Sequence, residues 1–390
     1  MLTSTARASE VFATIRELGP LIRSHQRESE RLGCIAAPVM DAFFERDLFR
    51  LLLSPEFGGA GLDLVAAMQV VEEVAYYDGS TGWVFGIGIG GLARAGFLPS
   101  EQARLLAMAP RAYVAGTLPP LGRATVVPGG YLVSGRWPFA SGIHHATWIA
   151  AGCVVHDGAQ PRTTADGLPD VVYVYLPTTD VTILDTWHVG GMRGTGSTEY
   201  TVDALFVPAE RTSAPAERRE ADHPPLLKVL DVTTGSAFGF VAMGIARATI
   251  DGVLELAATQ SRPRADRDGL RDRPSAHYEV AKAQAMLEAA RLSYLDGLTA
   301  LCETADRHEP LTLPLRARLR RAQVHAGETA VEVVDQMYRT AGSAALFEAA
   351  PFERSLRDVH AIQAQVWYQR SALEDAGRVA FGLAPRRRTF

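Results

Sequence analysis

Cysteine is scarce in this chain, with 3 in 390 residues. Cys34, Cys153 and Cys302 lie far apart and form no CxxC pair, which argues against a disulfide framework or a cysteine zinc site and suits a reducing compartment. An excess of charge of one sign is also missing. The 39 Lys and Arg against 44 Asp and Glu leave a net charge of -5, so nothing favours nucleic acid or an anionic membrane surface as a partner. The basic run "SRPRADRDGLRDRP" is interleaved with aspartates and reads as a solvated loop; "PRRRTF" reads as a short soluble tail. Long hydrophobic runs are lacking as well. Those around Trp83–Ala93 and Ala237–Ala246 are Gly-rich and too short to cross a bilayer. The N-terminal "MLTSTARASEVFATIREL" reads as a capped amphipathic helix without the apolar core of a signal peptide. The expectation is a cytoplasmic protein. A nucleotide fingerprint is absent too: "GIGIGG" (86–91) has neither the strand-then-helix context nor the later acidic residue, so close helix packing explains its glycines.

What is present is a change of pattern along the chain. Its length predicts two or three domains. Residues 1–112 carry helical periodicity, punctuated at "SPEFGGAGLD" and "YYDGSTGW". Residues 113–213 hold short β-rich runs bounded by Gly, Pro, Asp or Ser, at the spacing of a small sandwich or barrel. In "VVPGGYLVSG", Gly129 and Gly130 are expected to supply the positive φ values of a hairpin turn. Residues 214–225 read as a polar linker. Residues 226–390 read as a four-helix bundle, with long Ala-rich helices flanked by segments around Thr234–Thr259 and Val359–Phe381. The fold class is α+β, in the order α, β, α.

The stretch "GRWPFASGIHH" (135–145) concentrates the chemical question. His144 and His145 are adjacent, so on a strand they face opposite ways and do not share a metal ion. Ser141 lacks the G-x-S-x-G spacing of a hydrolase elbow. A backbone edge shaped to hold a ligand remains.

Three segments together resemble the acyl-CoA dehydrogenase superfamily: "VSGRWPFASGIHHATW", "DTWHVGGMRGTGSTEYTVDALFVP" and "MYRTAGSAALFEAAPFERSLRDVHAIQ". The first two most resemble its flavin-dependent monooxygenase branch, which includes oxygenase components of p-hydroxyphenylacetate hydroxylases, dibenzothiophene monooxygenase and amino-sugar N-oxygenases. The resemblance implies an N-terminal helical domain, a central β-domain and a C-terminal four-helix bundle, assembled as a homotetramer. It implies reduced FMN or FAD supplied by a separate reductase, O2, and a small organic substrate. By similarity, Trp137, Phe139, Ala140 and Ser141 contact the flavin, with Phe139 against the ring and Ser141 near N5 or O4. Thr117, in "AGTLPP", matches the other hydroxyl at that face. Gly342 and Ser343 match a turn near the cofactor of a neighbouring subunit. Arg262 reaches the flavin phosphates or is a solvated loop charge. His188 and Arg193 line the substrate pocket or serve packing, and Arg357 and Asp358 form an ion pair.

The departures from the family matter equally. Where acyl-CoA dehydrogenases carry a glutamate base, this chain has Val366, and at the alternative position Thr234. Neither removes a proton, which argues against thioester dehydrogenation. Where the monooxygenase branch often carries histidines, this chain has Gln365 and, around Gly91, glycine. Gln365 hydrogen-bonds but does not titrate, and Gly91 is expected to leave room for a bulky substrate. These substitutions favour an amine or sulfur substrate, nucleophilic without a base. A flavin oxidase or dehydrogenase on a non-thioester substrate, and a non-catalytic scaffold, remain as alternatives.

Overall fold

A computed structural model describes residues 2–214, 224–233, 235–259 and 269–386. The chain opens with α1 (Leu2–Leu32), α2 (Ala37–Glu45), α3 (Leu64–Tyr77), α4 (Gly79–Arg94) and α5 (Ser100–Met108). Aspartates set two of these starts. Asp63 accepts from the Ala66 N–H (2.7 Å) at the head of α3, and Asp78 from the Thr81 N–H (2.8 Å) at the head of α4. The helix α4 is buried over most of its length, and its glycines let neighbours approach closely.

Among the described residues eight strands follow: β1 (Val114–Val127), β2 (Gly130–Trp137), β3 (Trp148–Asp157), β4 (Gln160–Pro161), β5 (Val171–Pro177), β6 (Thr182–Leu184), β7 (Glu199–Pro208) and β8 (Thr212–Ser213). They form a single sheet in the order β6-β7-β2-β1-β3-β5-β8, with β4 pairing β3. Every pair is antiparallel except β1 with β3. β1 is long, 14 residues that include Pro119 and Pro120. Its register against β3 shifts around Pro120, because Pro119 and Pro120 bring no N–H to the ladder. The β1–β2 turn also differs from expectation. Gly129 alone has positive φ (+80°); Gly130 begins β2 and pairs with Pro208 of β7.

The third layer contains α6 (Pro225–Val232), α7 (Ser236–Thr259), α8 (Pro274–Asp306), α9 (Leu313–Ala341), α10 (Phe352–Gln363) and α11 (Arg370–Ala380). The segment expected as the fourth bundle helix is therefore two helices. A 3-10 turn at Val366–Tyr368 separates them, and buried Tyr368 wedges against Gly327 of α9. The helix α7 is long and apolar enough to span a bilayer, but it packs between α3, α4 and α9 in the core. The layers are cross-braced by carboxylates of α3. Buried Glu72 meets Arg291 of α8 with both oxygens (2.9 Å each), and Glu73 meets Arg247 of α7 at 2.6 Å. One continuous hydrophobic core runs through all three layers.

Candidate active site

The chain leaves β2 through a turn, Pro138 to Gly142, that holds an unusual backbone. Phe139 has φ of +60°, a conformation that costs a residue with a Cβ on the order of 1 kcal/mol or more and persists only when its surroundings enforce it. Three hydrogen bonds do so. The Thr117 hydroxyl donates to Pro138 O (2.6 Å), the Ala140 N–H to Thr198 O (3.0 Å), and the Gly142 N–H to Thr195 O (2.9 Å). The result is an aromatic ring turned outward: Phe139 is 59% exposed and meets the half-buried Trp187 ring edge-to-face at 6.3 Å. An exposed aromatic pair held on a strained turn marks this segment as a candidate ligand site.

Behind the turn runs a buried relay of hydroxyls. Trp83 of α4 donates its indole N–H to Ser141 Oγ (3.0 Å). Ser141 Oγ lies 2.6 Å from Ser197 Oγ, which lies 2.7 Å from Thr195 Oγ1, which donates to Met192 O at 2.8 Å. The end of the chain sets its direction. A carbonyl only accepts, so Thr195 donates to Met192, Ser197 donates to Thr195, and Ser141 donates to Ser197. Ser141 therefore has no proton left to offer outward; it presents a lone pair only. Met192 N–H in turn donates to Asp358 of α10. The relay thus links the three segments that carried the family resemblance.

Beside this turn lies an apolar cavity of about 160 Å³ between α4, β1 and the start of α7. Its walls include Gly90, Gly116, Leu118, Leu230 and Phe238, and its only polar side chains among the described residues are Arg94 and Thr233. Phe238 stacks on Trp83 at 3.7 Å with an interplanar angle of 4°. Thr117, next to Gly116 in β1, braces the turn. The cavity and the aromatic turn are thus joined through one residue on either side.

Several expected site residues sit elsewhere or act differently. Trp137 is wholly buried, stacked on Tyr200 at 5.1 Å and donating to Gly152 O at 2.8 Å; it fills the β-domain core and is not available to a flavin. Ala140 is buried with its N–H taken by Thr198. Gly91 does line the cavity, yet it does not make the room. A Cβ there would overlap the Val114 carbonyl, whereas one on Gly90 would meet nothing within 4 Å. His188 is exposed beside Asp185 (3.6 Å), and Arg193 is exposed among Glu30, Glu353 and Arg357; neither lines the apolar cavity. Gln365 is half-buried at the start of the 3-10 turn after α10, outside the cavity lining, and Val366 is exposed. Gly342 (φ +64°) and Ser343 end α9 at the exposed surface. Arg357 pairs with Glu30 and Glu353 rather than with Asp358. Arg262 and Thr234 lie outside the described residues.

His144 and His145 sit in a 3-10 turn after Gly142. Burial pushes both imidazoles down, His145 to about 4, and leaves them neutral. The His145 Nε2 is buried without a partner. Trp83, Trp187, Thr195, Ser197 and Phe238 were not anticipated as site residues. The hydroxyl-rich "GTGST" was the available signal; Trp83 gave none, because its partner is 58 residues away.

A flavin ring requires an apolar wall, a polar edge and a dry space beside it. The observed turn fits those requirements. The Phe139–Trp187 pair would serve as the wall and the cavity as the dry space. At the edge, the N–H groups of Phe139 and Ser141 have no protein partner among the described residues.

A helical layer, a sheet and a helical bundle meeting at such a turn define a flavin-dependent oxidoreductase. The chain matches the acyl-CoA dehydrogenase N-terminal domain over residues 11–102 and the C-terminal domain over residues 236–369. It belongs to the acyl-CoA dehydrogenase family, within the branch of flavin-dependent monooxygenases. It is 30% identical to the flavin-dependent monooxygenase oxygenase subunit HsaA of Rhodococcus jostii (strain RHA1), over 88% of this chain and 90% of that one. It is 26% identical to the indole-3-acetate monooxygenase of Pseudomonas putida, over 93% of this chain and 91% of the relative. The crystal structure of the HsaA monooxygenase from M. tuberculosis superposes with a TM-score of 0.88 at 26% identity, covering 98% of this chain and 100% of that one.

Proposed function

We propose that the chain is the oxygenase component of a two-component system: it takes reduced FMN or FAD from a separate reductase and uses O2 to oxygenate a small organic substrate. The observation that carries this reading is the polarity of Ser141. Its hydroxyl offers the ligand only an acceptor, and a reduced isoalloxazine presents an N–H at N5 where the oxidised ring presents a lone pair. The site therefore suits the reduced flavin.

When bound, the reduced flavin would supply the two electrons that activate O2, one of whose atoms passes to the substrate while the other leaves as water. The chain's own residues bind, orient and exclude water. Phe139 and Trp187 supply the apolar wall, Ser141 and the free N–H groups the polar edge, and Thr117 braces the turn. No His, Asp, Glu, Cys, Lys or Tyr is among the described cavity-lining residues. This lining suits an electron-rich substrate atom that reacts without a base. The exposed Leu346 (68%) and Phe347 (65%) beside Gly342 and Ser343 support a homotetramer in which this turn meets another subunit. The absence of any cysteine pairing motif supports a cytoplasmic setting.

Anaerobic ultrafiltration with photoreduced and oxidised FMN and FAD tests the reading. Tighter retention of the reduced form, and ¹⁸O from ¹⁸O2 in the product when a flavin reductase is added, are expected. Retention of no flavin would sink the proposal. Bleaching of oxidised flavin by substrate, without a reductase, would make the chain an oxidase instead.

A further inference from the structure

Among the described residues the apolar cavity carries one cation, Arg94, and that cation is already paired. Its Nη1 lies 2.7 Å from Asp231 Oδ1 and its Nη2 donates to Leu230 O at 3.1 Å, while its guanidinium carbon lies 5.9 Å from the Phe97 ring centre. The pair is mostly buried, with side-chain exposures of 11% and 24%. A substrate carboxylate entering this space would lose its hydration and find no free positive partner. Asp231 lies outside the described lining and already balances the Arg94 charge from behind, and burying a further unpaired charge is prohibitive. An uncharged ring meets no such barrier.

Size and shape narrow the class further. An engineered apolar cavity of about 150 Å³ takes up benzene, so the 160 Å³ found here suits one substituted ring or two fused ones. Phe238, held flat by the Trp83 stack behind it, makes a planar wall. Gly90 leaves the adjoining space open.

We infer that the substrate is an uncharged, planar molecule of one or two rings, and that Asp231 is the specificity-determining residue that excludes carboxylated analogues by neutralising Arg94. This inference rests on the oxygenase reading for its use of the word substrate, but its binding test does not depend on turnover.

Isothermal titration of the full chain with indole and with indole-3-acetate compares two probes that differ by a carboxymethyl group. The wild type is expected to bind indole at least about tenfold more tightly. Asp231→Asn, which keeps the shape and removes the charge, is expected to shift the ratio toward indole-3-acetate by at least about tenfold, the lower end of what one small group discriminates in a pocket. Equal or preferred binding of indole-3-acetate by the wild type overturns the inference, as does an unchanged ratio in Asp231→Asn. If Asp231→Asn does not fold, Gly90→Leu decides the location. It is expected to abolish indole binding, and retained affinity overturns the assignment of the cavity. Retention of reduced flavin is measured on the same samples. Wild type that holds flavin but shows the wrong probe preference refutes this inference alone, whereas failure to hold flavin refutes the function.

Discussion

Replacing Ser197 by alanine tests the direction of the hydroxyl relay. Ser197 Oγ is the acceptor for the Ser141 proton and the donor to Thr195, at 2.6 and 2.7 Å. All three hydroxyls are buried, at 5% exposure or less. With Ser197 gone, the Trp83 N–H still has Ser141 as acceptor, and Thr195 still donates to Met192. No buried N–H is orphaned, so the stability cost should stay at about 1–3 kcal/mol, the net worth of the two neutral hydrogen bonds that Ser197 makes. The Ser141 proton is the group set free. It can then point outward, converting an obligate acceptor into a donor. One hydrogen bond of about 0.5–1.5 kcal/mol corresponds to a factor of roughly 2–10 in affinity. Oxidised FMN should therefore bind Ser197→Ala about 2–10-fold more tightly relative to reduced FMN than it binds the wild type. Equilibrium dialysis of both redox forms measures the ratio, and near-ultraviolet circular dichroism checks the fold. An unchanged ratio in a folded variant would show that Ser141 does not face the flavin, or that the relay does not set its polarity.

Two further outcomes follow from packing and burial. Gly91→Ala and Gly90→Ala make the same change at adjacent positions of α4, so the helix-propensity gain of up to about 1 kcal/mol is common to both. Their difference isolates the clash with the Val114 carbonyl, whose carbon would lie 3.1 Å from the new methyl at position 91. Gly91→Ala should be less stable than Gly90→Ala by about 1–3 kcal/mol in urea midpoints, and the reverse order would refute the packing account. Asp358 is fully buried, and desolvation pushes its carboxyl from 3.8 up to about 7, with the nearby Asp78, itself raised, adding to the effect. The folded state then holds the proton more tightly than the unfolded chain. Asp358 thus favours folding below about pH 4 and increasingly opposes it up to about pH 7, with a constant penalty above. Asp358→Asn should gain stability over the wild type as pH rises through that window and keep the gain at pH 8; a pH-independent difference would refute the assignment.

The sequence by itself determined the order of helical, β and helical layers. Periodicities of 3.6 and 2, punctuated by Gly and Pro, are local properties that a chain carries with it. It also determined the segment that forms the turn, because "PFAS" places a ring beside a small polar residue, and it showed the lack of a glutamate base at Val366. Contacts decided the rest. Trp137 and Phe139 are two residues apart in one motif. One is locked in the core against Tyr200 and the other is exposed at φ +60°, because bonds from Thr117, Thr195 and Thr198 twist the chain between them. Gly90 and Gly91 are indistinguishable as letters, and only the approach of β1 to α4 assigns packing to one and open space to the other. The same holds for Ser141, whose hydroxyl became an acceptor through Trp83, 58 residues away, and Ser197, 56 residues away. A hydroxyl's polarity is set by the partners that saturate it, and those partners meet only when α4, the turn after β2 and the loop before β7 are packed together.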